Sequence, residues 1–206
     1  MTRVKICGIT SAQEAIAVAA AGADALGFVF VPGTPRCIRA EAAAEIVAGL
    51  PPFLTSVGVF VDQALNEVLE IAARCRLQAV QLHGEEPEEY GRQIPVRLIK
   101  AIRVRDGESL RPIATYPADA FLLDAYVEGK AGGTGTALPW DLVSAIRGHA
   151  PIILSGGLRP DNVEAAVRLV RPYAVDVSSG VEVRPGEKDP QKVREFVAAV
   201  RRADAD

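Results

Sequence analysis

Two glycine-bearing segments in the last third of the sequence carry residues suited to binding an anion. The apolar run Ile152–Leu154 ends at a serine followed by Gly156-Gly157, and further along the run Ala174–Val177 ends before Ser178, with Ser179-Gly180 after it. Small residues at a strand end let backbone N–H groups approach a ligand, and such groups bind phosphate. One glycine pair alone fits an ordinary strand-to-helix turn equally well. Its repetition on the next strand favours a phosphate site.

Polar side chains also alternate with apolar ones in three short runs of the sequence. Residues two apart in a strand share a face. Val4 and Ile6 therefore lie on the opposite face from Lys5, and the other two runs show the same alternation. The full polar set is Arg3, Lys5, Cys7, Gln81, His83, Asp176 and Ser178. A polar group on a buried strand is unfavourable unless it is paired or functional. A satisfied polar cluster explains any one of these residues equally well, but seven together favour a functional site.

The elements that must position these residues alternate regularly along the chain. Short apolar runs, of which Val4–Cys7 is the first, alternate with amphipathic or alanine-rich segments, of which Gln191–Arg202 is the last. The sixth helix is predicted over Trp140–Arg147, after a glycine-rich loop at Gly129–Gly135. About eight such units without a long insert favour a closed sheet, in which phosphate commonly binds after strands seven and eight. The sequence therefore predicts a (β/α)₈ TIM barrel forming a single domain over residues 1–206.

The composition excludes several classes of partner. The chain has 206 residues, 49% of them hydrophobic, and a net charge of −3. With a sequence pI near 5.5 and no long basic run, nucleic acid and membrane surfaces are not expected partners. The N-terminus MTRVKICGIT lacks the apolar region of a signal peptide. Three cysteines without metal-ligand spacing indicate no disulfide and no metal site, so the expected location is the cytoplasm.

Several sequence blocks resemble the phosphoribosylanthranilate isomerase family. They occur in family order between Lys5 and Glu182: KICGI, ADALGFVF, SVGVFV, AVQLHGEEP, LLDAY followed by GGTG, LSGGL and DVSSGVE. The resemblance implies a (β/α)₈ barrel of tryptophan biosynthesis that needs no metal or organic cofactor. It implies an Amadori rearrangement that converts N-(5-phosphoribosyl)anthranilate to 1-(2-carboxyphenylamino)-1-deoxyribulose 5-phosphate. The expected partner is therefore this small phosphosugar-anthranilate substrate.

The same resemblance assigns roles to individual residues. Cys7 matches the family's general base, Asp124 its general acid, and Arg36 the residue that holds the anthranilate carboxylate. Gly156, Gly157, Ser179 and Gly180 match the family's phosphate site. Gln81 and His83 match positions at the mouth of the barrel, without a firm role.

Lys5 and Asp176 are possible supporting residues. Lys5 lies two residues before Cys7 on the same strand face, so we expect its ammonium to lower the pKa of the thiol.

Two alternatives remain open from the sequence. One is another sugar-phosphate barrel, such as indole-glycerol-phosphate synthase or a ketose isomerase. Those enzymes use lysine and glutamate, or paired aspartates, and the pairing of Cys7 with Asp124 argues against them. The other is a non-catalytic phosphosugar-binding barrel, which the presence of Cys7, Asp124 and Arg36 disfavours. The sequence leaves open whether the chain is a monomer or a homodimer, and whether it accepts a second substrate of histidine synthesis.

Overall fold

A computed structural model describes residues 1–125 and 150–205, and eight parallel strands in it form a closed barrel. The barrel strands are β1 (Arg3–Cys7), β2 (Ala25–Val29), β3 (Thr55–Phe60), β4 (Ala79–Leu82), β5 (Arg97–Val104), β6 (Ala120–Ala125), β7 (Ile152–Leu154) and β8 (Ala174–Val177). Closure is completed between β1 and β8, where Val4 pairs with Val175. The predicted (β/α)₈ barrel is confirmed.

Helices connect the strands on the outside of the barrel. They are α1 (Ala12–Ala20), α2 (Ala40–Ala48), α3 (Leu65–Arg74), α4 (Glu88–Gly91), α5 (Val163–Val170) and α6 (Pro190–Ala205). Residues Glu108–Ala114, between β5 and β6, form a 3₁₀ helix that contains Pro112, which lacks the N–H that an α-helix needs. The predicted loop Gly129–Gly135 and helix Trp140–Arg147 lie outside the described residues. In the described part of the chain, no helix is long and apolar enough to cross a membrane.

The strands separate two apolar layers, and this separation sets which side chains face the barrel interior. The outer layer, between strands and helices, includes Val4, Ile6, Val80, Leu82, Val175 and Val177. The inner layer consists of Val57, Ala79, Ile99, Ala101, Ala120, Leu122, Ile153 and Ala174. Because side chains alternate along a strand, the polar residues Lys5, Gln81 and Asp176 share the inner face. The apolar faces that alternate in the sequence of these three strands therefore meet the helices, and the polar faces point into the barrel.

An antiparallel hairpin follows β8 and was not predicted. Its strands are β9 (Glu182–Arg184) and β10 (Glu187–Lys188), which pair with each other and not with the barrel. Gly186 in the turn has a φ of +85°, a conformation that glycine adopts without strain. The hairpin places Glu182 and Lys188 beside the C-terminal ends of the first and last barrel strands, since Lys188 Nζ lies 3.4 Å from the Ser178 carbonyl oxygen.

Candidate active site

A cavity of about 250 Å³ opens at the C-terminal ends of the barrel strands. The predicted site residues that line it are Cys7, Arg36, Gln81, His83, Asp124, Gly156, Gly157, Asp176, Ser179 and Gly180. The fold thus brings together every predicted site residue except Lys5, which lies deeper in the barrel. Catalytic sites of (β/α)₈ barrels lie at this face of the fold.

A larger concavity, of about 760 Å³, lies at the opposite end of the barrel. Four of its charged lining residues are engaged with one another: Arg3 pairs with Asp24 at 3.0 Å and Arg97 with Asp119 at 2.8 Å. These pairs are solvent-exposed and lie where strands begin, on the face that in such barrels serves stability. We therefore place the active site in the smaller cavity, where the thiol, carboxylate and imidazole converge.

The order of the strands places the site groups around the mouth of the barrel. Asp124 lies near the end of β6, and the two glycine-bearing turns follow β7 and β8. Cys7 ends β1, and Arg36 lies in the connection after β2. The carboxyl group and the thiol therefore flank the two glycine turns from opposite sides. A substrate whose phosphate occupies those turns would have one titratable group on each side.

The Cys7 thiol is buried, and its packing depends on a glycine in the neighbouring strand. Cys7 is only 8% exposed, and a Cβ placed on Gly27 of β2 would lie 2.7 Å from its Sγ. Such a contact is too close for any side chain, so Gly27 is required to leave room for the thiol. Sequence reasoning did not single out Gly27, although it lies within the block ADALGFVF.

Lys5 acts to lower the pKa of Cys7, as expected, but a larger effect of burial opposes it. Burial raises the pKa of the Cys7 thiol above its ordinary value, and the lowering effects of Lys5 and Lys188 do not overcome it. Lys5 is itself buried and donates to Asp176 Oδ1 at 2.7 Å. Burial alone would lower the pKa of Lys5, but its interactions with Asp176 and Cys7 raise it. Asp176 compensates much of the positive charge of Lys5. The Cys7 thiol therefore remains a weaker acid than an ordinary thiol, and its thiolate is a stronger base.

Asp124 lies near His83, which directly follows β4 and contacts Gln81 within that strand. The carboxyl group is buried, and its Oδ2 lies 3.6 Å from Nε2 of His83. Nδ1 of His83 lies 3.0 Å from Nε2 of Gln81. The two ring nitrogens of His83 thus contact Gln81 and Asp124, one each. The structure thus connects Gln81 to Asp124 through His83, at the mouth of the barrel.

The two glycine turns contact each other through their backbones. Gly156 and Gly157 have φ values of +83° and +66°, and Asn162 Nδ2 donates to the carbonyl oxygen of Gly157 at 2.9 Å. A Cβ on Gly180 would collide with the carbonyl oxygen of Leu158. Only glycine permits this close approach. The turns after β7 and β8 therefore form one continuous backbone surface, as a shared phosphate site requires.

Arg36 reaches the same cavity over the backbone of the first strand. A Cβ on Gly8, whose φ is +84°, would lie 2.7 Å from the Arg36 Cδ, so the side chain crosses directly above this glycine. The guanidinium forms two hydrogen bonds with Glu182, at 2.8 and 2.6 Å. Glu182 was not predicted as a site residue, although it ends the block DVSSGVE that carries part of the resemblance.

Comparison with known protein families shows which family the chain belongs to. The model of the family described as N-(5'phosphoribosyl)anthranilate (PRA) isomerase matches residues 4–199. The chain belongs to this family. An N-(5'-phosphoribosyl)anthranilate isomerase of Moorella thermoacetica is 56% identical over 206 residues, which span 99% of this chain and 92% of the relative. The resemblance seen in the sequence blocks is confirmed, and the chain is a phosphoribosylanthranilate isomerase of tryptophan biosynthesis.

Two solved phosphoribosylanthranilate isomerases superpose on the whole barrel. Monomers generated from the dimeric enzyme of Thermotoga maritima match with a TM-score of 0.88 at 40% identity, over 98% of this chain and 99% of that one. A second structure matches with a TM-score of 0.88 at 42% identity and the same coverage. That protein is described in complex with reduced 1-(o-carboxyphenylamino)-1-deoxyribulose 5-phosphate. Neither another sugar-phosphate barrel nor a non-catalytic barrel is favoured by these matches.

Proposed function

We propose that this phosphoribosylanthranilate isomerase rearranges its substrate by general acid–base catalysis, with Asp124 as the acid and Cys7 as the base. The observation that carries the proposal is the placement of these two groups on β6 and β1, on either side of the glycine turns. Turnover of N-(5-phosphoribosyl)anthranilate by the purified chain, followed through the decrease in anthranilate fluorescence, tests the activity itself.

The first step opens the ribose ring. The carboxylic acid of Asp124 gives its proton to the ring oxygen, and the bond between that oxygen and C1 breaks. The lone pair of the anthranilate nitrogen forms a C=N bond to C1, so a cationic Schiff base replaces the ring. Placing an acid against the leaving oxygen accelerates such a step by about 10²- to 10⁴-fold.

The second step moves a proton from C2 of the sugar. The Cys7 thiolate removes it, the electrons of the C–H bond form a C1=C2 double bond, and those of the C=N bond return to nitrogen. The resulting enol amine becomes the ketone product when C1 gains a proton and the C2 hydroxyl loses one. Burial keeps the pKa of the Cys7 thiol high, and a thiolate with a high pKa is an effective base for a carbon acid.

Arg36 is proposed to bind the anthranilate carboxylate. Two of its five N–H bonds point to Glu182, which leaves the remaining ones for a substrate carboxylate. A lysine cannot reproduce this planar fork. We expect Arg36→Lys to raise KM at least about tenfold, with Arg36→Ala worse and kcat less affected. Steady-state kinetics measure both constants, and near-normal kinetics for Arg36→Lys would show that the carboxylate is held elsewhere.

The glycine turns are proposed to bind the substrate phosphate through backbone N–H groups of Gly156, Gly157, Ser179 and Gly180. Gly157 has a positive φ, so a bulky residue there would both strain the turn and fill the space of the ligand. Gly157→Val should mainly raise KM, because phosphate binding is shared by ground and transition states. A crystal soaked in phosphate should show the anion at these turns. An anion found only elsewhere on the surface would contradict the assignment.

We further propose a single barrel domain over residues 1–206 that assembles as a homodimer in the cytoplasm. A solved relative from Thermotoga maritima is described as dimeric. In this chain Phe53 is 97% exposed at the rim of the large cavity at the N-terminal end of the barrel, which suits burial against a second copy. A cytoplasmic location suits a mechanism that needs the Cys7 thiol reduced.

A further inference from the structure

The substrate-facing guanidinium of Arg36 rests on a buried carboxylate. Nε of Arg36 donates to Oε1 of Glu182 at 2.8 Å, and Nη2 donates to Oε2 at 2.6 Å. The Glu182 side chain is only 3% exposed, so this edge of the guanidinium is fixed from inside the protein. A fork of this kind restricts both the position and the plane of the group. The opposite edge is left directed to the cavity.

A second cation completes the cluster. Nζ of Lys188 donates to Oε1 of Glu182 at 2.7 Å, and the Lys188 side chain is only 2% exposed. Burial acts to raise the pKa of Glu182, but hydrogen bonds from Arg36 and Lys188 hold it below its usual value. One carboxylate is therefore shared by two cations, and the cluster carries one net positive charge.

The β9–β10 hairpin holds this cluster against the loops that follow β1 and β2. A Cβ on Gly186 would collide with the carbonyl oxygen of Pro35, the residue before Arg36. Thr10 Oγ1 donates to the carbonyl oxygen of Gly186 at 3.1 Å, and the Lys188 amide donates to Oε1 of Glu14 at 2.8 Å. The turn of the hairpin thus lies against both loops, and its second strand is hydrogen-bonded to α1.

We infer that Glu182 and Lys188 are positioning residues that fix Arg36 and set the charge it presents to the substrate carboxylate. The inference rests on the proposed role of Arg36. Glu182 alone would neutralise Arg36 and repel an approaching carboxylate at short range. Lys188 cancels that repulsion, so the guanidinium keeps both its fixed orientation and its attraction for an anion. Without Lys188 the cluster carries no net charge.

Variants that change the net charge of the cluster distinguish this role from simple support of the fold. Lys188→Met leaves Arg36 and Glu182 in place but lowers the cluster from one net positive charge to none. Adding Glu182→Gln in the same chain returns the charge to plus one. If the charge matters, the double variant binds a carboxylate better than the single variant does. If the cluster only supports the hairpin, the variants weaken every ligand alike.

The experiment compares two ligands on the full chain by titration calorimetry. One is reduced 1-(o-carboxyphenylamino)-1-deoxyribulose 5-phosphate, and the other has phenyl in place of carboxyphenyl. We expect Lys188→Met to weaken the first ligand at least about tenfold, equivalent to about 1.4 kcal/mol, and the second by less than about threefold. The double variant should recover at least about threefold of the loss. Arg184→Gln, an exposed change on the same hairpin, should bind both ligands as wild type does.

Equal weakening of both ligands by Lys188→Met, or none of either, would overturn the inference. Binding of the ligand without the carboxylate also reports that a variant is folded, and Lys188→Gln makes the same charge change if Lys188→Met does not fold. The Arg36→Ala variant separates this inference from the proposed function. If it discriminates between the ligands as wild type does, Arg36 does not bind the carboxylate. If it loses that discrimination while Lys188→Met keeps it, only the inference about Lys188 and Glu182 fails.

Discussion

Replacing Asp124 with asparagine is expected to lower kcat at least about 10²-fold, equivalent to about 2.7 kcal/mol, with a much smaller change in KM. Asparagine has the size of aspartate and can still fill the space beside His83, but it cannot donate an acidic proton. The substituted enzyme would still bind the phosphate and the carboxylate, because those contacts lie on other strands. Steady-state turnover of N-(5-phosphoribosyl)anthranilate by the purified variant measures the effect.

Asp119 provides a matched control for this substitution. It directly precedes β6, at the opposite end of the strand from Asp124, where its carboxylate accepts from the Leu98 amide at 2.8 Å. Asp119→Asn makes the same chemical change far from the reacting groups. We expect it to affect stability and to leave kcat near the wild-type value. A kcat for Asp124→Asn within about threefold of wild type would remove Asp124 from the mechanism.

Removing the thiol of Cys7 is expected to have a comparable effect. Cys7→Ala leaves no base at the end of β1, and kcat should fall at least about 10²-fold with little change in KM. Cys75→Ala is the control, because Cys75 is a buried thiol that donates to the carbonyl oxygen of Ala40, away from the cavity. The Cys75→Ala enzyme should lose packing contacts in the core but keep a kcat near the wild-type value. Normal turnover by a folded Cys7→Ala enzyme would exclude the thiol as base.

The pH dependence should reflect the burial of that thiol. Burial raises the pKa of Cys7, so the reactive thiolate is a small fraction at neutral pH and increases as the pH rises. One limb of the kcat/KM profile should therefore lie above the ordinary thiol pKa near 8.5. An acid and a base that act together predict a bell-shaped profile. Its two limbs belong to the coupled pair.

Much of the scaffold could be predicted from the sequence because its patterns are local. The alternation of apolar runs with longer amphipathic segments requires only neighbouring residues, and it predicted the eight strands of the barrel. Alternation within β1, β4 and β8 correctly separated inward-facing from outward-facing side chains. The glycine-bearing turns after β7 and β8 could be found because positive φ values at Gly156 and Gly157 and close backbone approach at Gly180 favour glycine.

The electrostatics of the site could not be predicted in the same way. Lys5 lies two residues from Cys7, but its charge is compensated by Asp176, which is 171 residues away in the chain. The burial of the thiol, which dominates its pKa, results from packing of the whole barrel. Glu182 and Lys188 lie in a short hairpin whose strands are too brief to give a periodic pattern. Their relation to Arg36 appears only when distant loops meet.

The measurement that tests the assignment of acid and base most directly is the deuterium isotope effect at C2 of the substrate on the single-turnover rate of each variant. Cys7→Ala slows removal of the C2 proton, so this variant should show a large primary isotope effect. Asp124→Asn slows ring opening, which breaks no bond to that hydrogen, so its isotope effect should fall towards one. The reverse pattern, or equal effects in the two variants, would contradict the account.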